Sequence, residues 1–413
     1  MKKSILLAIL TVFVSGYAFG DASHGHDHDT NSNAHHAQAE HADSHAEADH
    51  GSHDAHDKKP FNAGEMIMHH ISDAHQIHIA TLKEGTADEK HISIPLPVIL
   101  WDNGLQLFSS KHFYHHPDHD THIDGGHVYH HGDYYLVYDG GEKIYKATHA
   151  VDTLGNTYEL ETPGLAFDEK GAIINATPFD LSITKSVAGL LIALLLTFFI
   201  FWSIAKGYKK NGNSAPRGAA RVFEPFILFV RDEVAIPSIG AKKANHFMPF
   251  LLTIFFFIWI ANIMGLVPGF GFNVMGTMGV TIVLAGIVFI ISTVKSNKHF
   301  WSHTLNPAGV PLPIKFILVP IEIAGMFIRP AVLMVRLTAN ITAGHIIILA
   351  FTALIFIFRE SSGMGAGYGV GVGSVAFMIF MYFIELLVAF LQAYVFTLLS
   401  AIYFGMAVEE AHH

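Results

Sequence analysis

Arg336-Leu337-Thr338-Ala339-Asn340-Ile341-Thr342-Ala343-Gly344-His345 lies within an apolar stretch at 314–358, and a second apolar stretch, 374–408, carries Glu385 and Gln392. A charged side chain at mid-bilayer costs about 3 kcal/mol on insertion scales and more in simulations, so such residues mark ion or proton paths. As one helix the first stretch would reach about 66 Å, against about 30 Å of hydrocarbon. Neither stretch contains a turn signal or polar break that would divide it into two spans. The pair reads as a hairpin of two long, steeply tilted helices, with Pro320 and Pro330 placed to bend the first and the Gly-rich 364–373 as the turn.

Lys315, Glu322, Arg329 and Arg336 recur every seven residues. Seven steps of about 100° fall about 20° short of two turns, so the four form one polar stripe, joined by Asn340. His345, nine residues past Arg336, falls on roughly the opposite side. Glu385 and Gln392, again seven apart, share a face of the second helix. A guanidinium keeps its proton at accessible pH, so Arg336 is a fixed positive charge whose natural partner is a carboxylate on another chain. His345 and Glu385 can exchange protons near neutrality when their surroundings shift them. A fixed cation between titratable groups stops protons leaking straight across. The plainer reading, Arg336 pairing with Glu322 or Glu385 to hold helices together, relies on buried ion pairs, which stabilise weakly. It also leaves Asn340, His345 and Gln392 without a role.

The remaining sequence divides in two. Of 413 residues 51% are hydrophobic and 15% charged, but 21–180 is polar and His-rich whereas 186–407 is dominated by apolar runs. A soluble domain followed by a polytopic membrane domain is expected. A net charge of −10 argues against nucleic-acid binding, and the absence of cysteine excludes disulfide and thiolate chemistry. Lys2, Lys3, an apolar 5–14 and Ala18-Phe19-Gly20 predict a signal peptide over 1–20. Ten histidines between His24 and His56 mark 21–58 as a disordered, low-complexity tract. Fluxional binding of zinc, copper or nickel, a pH-responsive tail and a solvated spacer all fit its composition.

Residues 59–180 predict a small extracytoplasmic module. It has a helix over 66–79 carrying His69, His70, Asp73 and His75, then strands over 91–101, 134–138 and 143–148. His112, His115, His116, His119, His122 and His127, grouped around Asp118, Asp120 and Asp124, read as surface histidines. A first span at 186–205 is followed by Lys206, Lys209, Lys210, Arg217 and Arg221, which puts its far end in the cytoplasm. An interfacial amphipathic helix at 221–234 and spans at 247–267 and 274–294 precede the hairpin. The fold class is therefore an all-α polytopic membrane protein with five membrane helices, the last two a tilted hairpin, behind a β-rich module.

At these residues the chain resembles subunit a of the F-type ATP synthase, over 181–413. The likeness rests on Ile183-Thr184-Lys185, on 249–268 with Asn262 and Gly265-Leu266-Val267-Pro268, and on Arg329-Pro330, Arg336-Leu337, Asn340 and Ala343-Gly344-His345. It ends with 385–398. The resemblance implies that Arg336 displaces the proton from a carboxylate of the c-ring, with Asn340 and Gln392 lining the path. His345 and Glu385 would form the polar pair of the outward half-channel and meet in space. Thr338 and Ala339 would be small enough for close approach to the ring. Partners implied are the c-ring, the b stator subunits and the rest of the F0F1 complex, in a bacterial inner membrane with its lipid, the module periplasmic and the C-terminus cytoplasmic. No cofactor or metal is implied, and no GxxxxGK[ST] nucleotide loop occurs, so the subunit is not expected to be an enzyme in itself. Whether H+ or Na+ is carried belongs mainly to the ring. The alternative is a metal-ion transporter served by the histidine-rich region. Metal carriers need several ligands converging at mid-membrane, and within the spans only His345 lies well inside.

Overall fold

A computed structural model describes residues 63–82, 90–102, 104–114, 127–138, 141–152, 155–169, 171–211, 218–267, 272–306 and 311–409. The predicted signal peptide, the histidine-rich tract and the histidines and aspartates of 115–126 lie outside the described residues. The module opens with α1 (Ala63–Ile71), followed by strands β1 (Gln76–Leu82), β2 (Lys90–Pro95), β3 (Pro97–Trp101) and β4 (Leu105–Ser109) and a short helix α2 (Lys111–Tyr114). Then come β5 (His127–His131), β6 (Tyr134–Tyr138), β7 (Glu142–Lys146), β8 (His149–Val151), β9 (Thr157–Glu159) and β10 (Phe179–Asp180). They pair antiparallel as β1-β2, β10-β3-β4, β5-β6-β7 and β8-β9.

The helix expected over 66–79 ends at Ile71. The Asp73 carboxylate accepts the Ala74 N–H at 3.1 Å and turns the chain, and the alternation Ile77, Ile79 then gives a strand. The single strand expected over 91–101 is two. Leu96, between Pro95 and Pro97, donates its N–H toward His75 O (3.2 Å) and Ser110 Oγ (3.0 Å), so the chain changes sheets there. β6 is buried on both faces. Leu136 packs with Val98, Leu100, Phe113 and Ile144 on one side, and Tyr135 and Val137 with Val128 and Ala147 on the other.

Among the described residues five helices are long and apolar enough to cross a membrane. They are α3 (Lys185–Asn211), α6 (Ala241–Leu266), α7 (Met278–Lys295), α9 (Leu312–Ser362) and α10 (Met364–Val408). Between the first two, the amphipathic segment forms α4 (Ala219–Phe229), a π-helical turn over Val230–Ala235 and α5 (Ile236–Ile239); α8 (Lys298–Leu305) precedes the hairpin. Gly240, at φ 90°, turns the chain into α6. Phe247 stacks on Phe404 at 4.9 Å, and Phe390 meets Phe226, Phe255 and Trp259. Lys243 Nζ and Asn297 Nδ2 donate to the Val408 carbonyl at 2.7 and 3.1 Å, satisfying the end of α10.

α9 runs unbroken for 51 residues through Pro320 and Pro330, about 76 Å at 1.5 Å per residue, so it must tilt. The Gly-rich 364–373 is not the turn. Gly363 alone reverses the chain, at φ 87°, and the glycines continue as helix. Gly367 alone among them permits a close approach of the hairpin arms, since a Cβ there would stand 2.9 Å from the Cβ of Arg359.

The module is packed onto the helices. Ile77 and Leu96 belong to the apolar cluster of the bundle, α1 lies against α9, and Lys185 N–H donates to Ala74 O at 2.7 Å. The Asp73 carboxylate also accepts the Ser186 N–H at 2.9 Å, so the module caps the first membrane helix.

Candidate functional site

Helical geometry sorts the predicted residues of α9 onto two faces. Arg336, Ala339, Asn340 and Ala343 are exposed, whereas Leu333, Leu337, Ile341 and Gly344 are buried. Among the described residues no hydrogen bond or ion pair engages Arg336 or Asn340. Glu322 instead pairs with Arg329, at 3.4 Å and about one-third exposed on both sides, and Lys315 Nζ donates to Asn306 Oδ1 at 2.6 Å. The stripe expected along α9 thus divides into a paired half and a free half. Thr338 leaves the Arg336 face and meets Thr281 of α7, Oγ1 to Oγ1, at 2.7 Å. Of the two small residues expected to face a ring, only Ala339 lies on the exposed face with Arg336.

Behind that face lies a buried polar set. Glu385 and Gln392 of α10 are 6% and 8% exposed. The Glu385 carboxylate fills the space in front of Gly344, where any side chain would collide with both its oxygens. Glycine at 344 therefore admits the acid to α9, one residue from His345. No hydrogen bond joins Glu385 to His345 among the described residues; Glu385 meets α9 at Gly344, the residue before His345 in the chain. The half-buried His345 turns toward α6, where a Cβ at Gly265 would be 3.4 Å from its Nε2 and 2.9 Å from the Phe272 carbonyl. Asn262, 3% exposed on α6, donates Nδ2 to the Ala389 carbonyl at 3.4 Å, between Glu385 and Gln392 in sequence. Its Oδ1 and that of Asn273 are buried without a hydrogen-bond partner among the described residues.

Sequence reasoning placed Arg336, Asn340, His345, Glu385 and Gln392 but missed Asn262 as a site residue, and missed Lys185, Ser186, Asn273 and Thr277. The signal for Asn262 was present, an amide inside an apolar run. For the others the signal is tertiary. They sit at helix ends, where polar residues are ordinary.

A second polar cluster lies in the module. His75, 3% exposed, donates from Nδ1 to Glu142 Oε2 at 3.0 Å and from Nε2 to Asp180 Oδ2 at 3.4 Å. Tyr114 donates its hydroxyl to Glu142 Oε1 at 2.6 Å. Burial opposes the imidazolium, but hydrogen bonds to Asp180 and Glu142 and attraction to both outweigh it and raise His75 to about 10. Burial likewise opposes the Glu142 carboxylate and is outweighed by the His75 and Tyr114 bonds, which hold it below its usual range. Among the described residues no group of three or more His, Asp or Glu side chains is arranged to hold a metal. The metal-transporter alternative has nothing there to rest on.

Five apolar helices, with an exposed cation on one face of α9 and buried polar groups inside the bundle, define a polytopic membrane protein. The family model described as ATP synthase A chain matches residues 187–405, and the chain belongs to that family. It is 40% identical over 278 residues to the ATP synthase subunit a of Chloroherpeton thalassium, covering 66% of this chain and 79% of that one. It is 40% identical over 262 residues to ATP synthase subunit a 2 of Chlorobaculum tepidum, covering 61% and 72%. Against the subunit a of Myxococcus xanthus it is 39% identical over 243 residues, covering 57% and 75%. A further model, described as a domain of unknown function (DUF8433), matches residues 66–181, the module.

Proposed function

We propose that this chain is the non-catalytic, proton-conducting stator subunit of an F-type ATP synthase in a bacterial plasma membrane, docked beside a c-ring and held by b subunits. The observation that carries the reading is the exposed Arg336 beside Asn340, Ala339 and Ala343 on one face of α9, with Glu385 held against Gly344 on the buried face and Gln392 buried on α10. Basic Lys206, Lys209, Lys295 and Lys298 lie at the ends of α3 and α7, which favours a cytoplasmic location there and a periplasmic module at the opposite end.

In this reading a proton passes His345 and Glu385 and reaches a ring carboxylate, which turns neutral and rotates into lipid without an exposed charge. The returning carboxylic acid meets Arg336, whose permanent charge favours the ionised form, so the acid loses its proton to the other side. Alanines at 339 and 343 let the ring helix approach. Each proton crossing 100 mV contributes about 2.3 kcal/mol, so several are needed per ATP. The test is ATP-driven acidification of inverted vesicles containing the assembled complex. Arg336→Ala should abolish pumping while the complex stays assembled; unchanged pumping rejects the role of Arg336.

A further inference from the structure

We propose that the conducting path begins beneath the module, as a water file walled by Lys185, Ser186, Asn273 and Thr277 and roofed by residues 70–75. The proposal rests on the conducting role of His345 and Glu385 and extends their path to the end of the bundle where the module sits.

The walls are polar and continuous with His345. Asn273 is 7% exposed, and its Oδ1 has no donor among the described residues. Such an acceptor is costly when dry and is ordinarily met by an ordered water. Its amide fills the space in front of Gly276, where no side chain could fit, so the loop itself holds it in place. Thr277 Oγ1 lies 3.1 Å from both Ser186 Oγ and Asn273 O, tying this loop to the first turn of α3. The loop then leads inward, because the Phe272 carbonyl and the His345 imidazole meet at Gly265. Lys185, 7% exposed, stands at the start of α3 beside Ser186. Beyond His345 come Glu385 against Gly344 and the second unpartnered amide oxygen, at Asn262. The two buried orphan oxygens stand before and after the titratable pair, where a hydrogen-bonded file must pass.

The roof is fixed to the walls. Lys185 donates its backbone N–H to Ala74 O and its Nζ to His70 O at 3.2 Å, and Asp73 accepts the Ser186 N–H. The next residue, His75, is clamped between Glu142 and Asp180. A roof held this way admits water and ions of similar size and turns away larger solutes. That gives the module a task in the complex: it screens the approach to the path.

The sequence contains no cysteine, so single cysteines report cleanly. Ser186→Cys, nearly isosteric, and Asn273→Cys are each assembled into the full complex. Membranes are exposed to silver ion from the module side, and ATP-driven pumping is then measured in inverted vesicles. Silver should block both variants and spare the parent chain, whereas a bulky maleimide should leave them active until Asp73→Ala loosens the roof. Assembled variants indifferent to silver would overturn the water file. Block by the maleimide as fast as by silver, with Asp73 intact, would overturn the roof. Arg336→Ala is run beside them. If it pumps normally the conducting role itself fails; if it loses pumping while the cysteines ignore silver, only the inlet is wrong.

Discussion

The chain holds two buried acid–histidine clusters, one in the module and one in the bundle, and they differ in what surrounds them. His75 has a carboxylate on each ring nitrogen, and Glu142 is bonded by His75 and Tyr114. Among the described residues His345 and Glu385 share no hydrogen bond, and the Asn262 and Asn273 amide oxygens lack partners. A fully partnered cluster holds its protons firmly and serves as a clamp. A cluster with spare lone pairs can exchange protons with water and with a moving partner, at a cost in stability. The contrast separates a structural histidine from the one proposed to conduct where composition cannot, since the chain carries 30 histidines.

The comparison is sharpest in paired substitutions. Glu385→Gln should lower ATP-driven pumping by at least about tenfold, the scale of one lost proton-transfer step, with assembly unchanged. Glu142→Gln should do the reverse. Removing one partner of a buried pair costs about 3–5 kcal/mol, read as lost hydrogen-exchange protection across β6 and β7. Pumping that survives Glu385→Gln, or a module indifferent to Glu142→Gln, would break the distinction. Gly344→Ala tests the same carboxylate from the opposite helix. Its methyl group collides with Glu385, so pumping should fall although no ionisable residue has changed.

The pH dependence follows from the clamp. His75 titrates near 10 in the fold against an ordinary 6.5, so the folded state binds the proton more tightly. Its stabilisation is complete below about 6.5 and lost as pH rises through about 10. Glu142, held below its ordinary 4.5, contributes above that value and loses its contribution as pH falls through the lowered one. The module should therefore resist unfolding best between about 4.5 and 6.5 and weaken toward pH 10. Exchange protection of β7 followed over that range checks the sign. Protection that rises from pH 7 to 10 would contradict the clamp.

Much of this was legible in the sequence, for identifiable reasons. Long apolar runs give membrane helices because length and hydropathy are one-dimensional properties, and the opposite facing of Arg336 and His345 follows from 100° per residue. The meeting of Glu385 with α9 depends on Gly344, and nothing local distinguishes that glycine from those of 364–373. The glycine run was misread as a turn because Gly363 alone reverses the chain, and the close approach at Gly367 is visible only with the partner helix in place. The module was read least well. Its strands change sheets at Leu96, and His75 finds partners 67 and 105 residues away.

The smallest effect probes the two faces of α9. Thr338 and Ala339 are adjacent and both small, yet Thr338 bonds Thr281 inside the bundle while Ala339 lies on the open face. Thr338→Val removes one hydrogen bond and should cost about 1 kcal/mol of stability with pumping intact. Ala339→Leu leaves the chain's own packing untouched but fills the face where the ring helix must approach, so it should impair pumping without lowering thermal stability. Helical phase fixes the sign of both outcomes. If Thr338→Val stops pumping while Ala339→Leu is neutral, the helix is rotated about 100° from the placement described, and Arg336 no longer faces the ring.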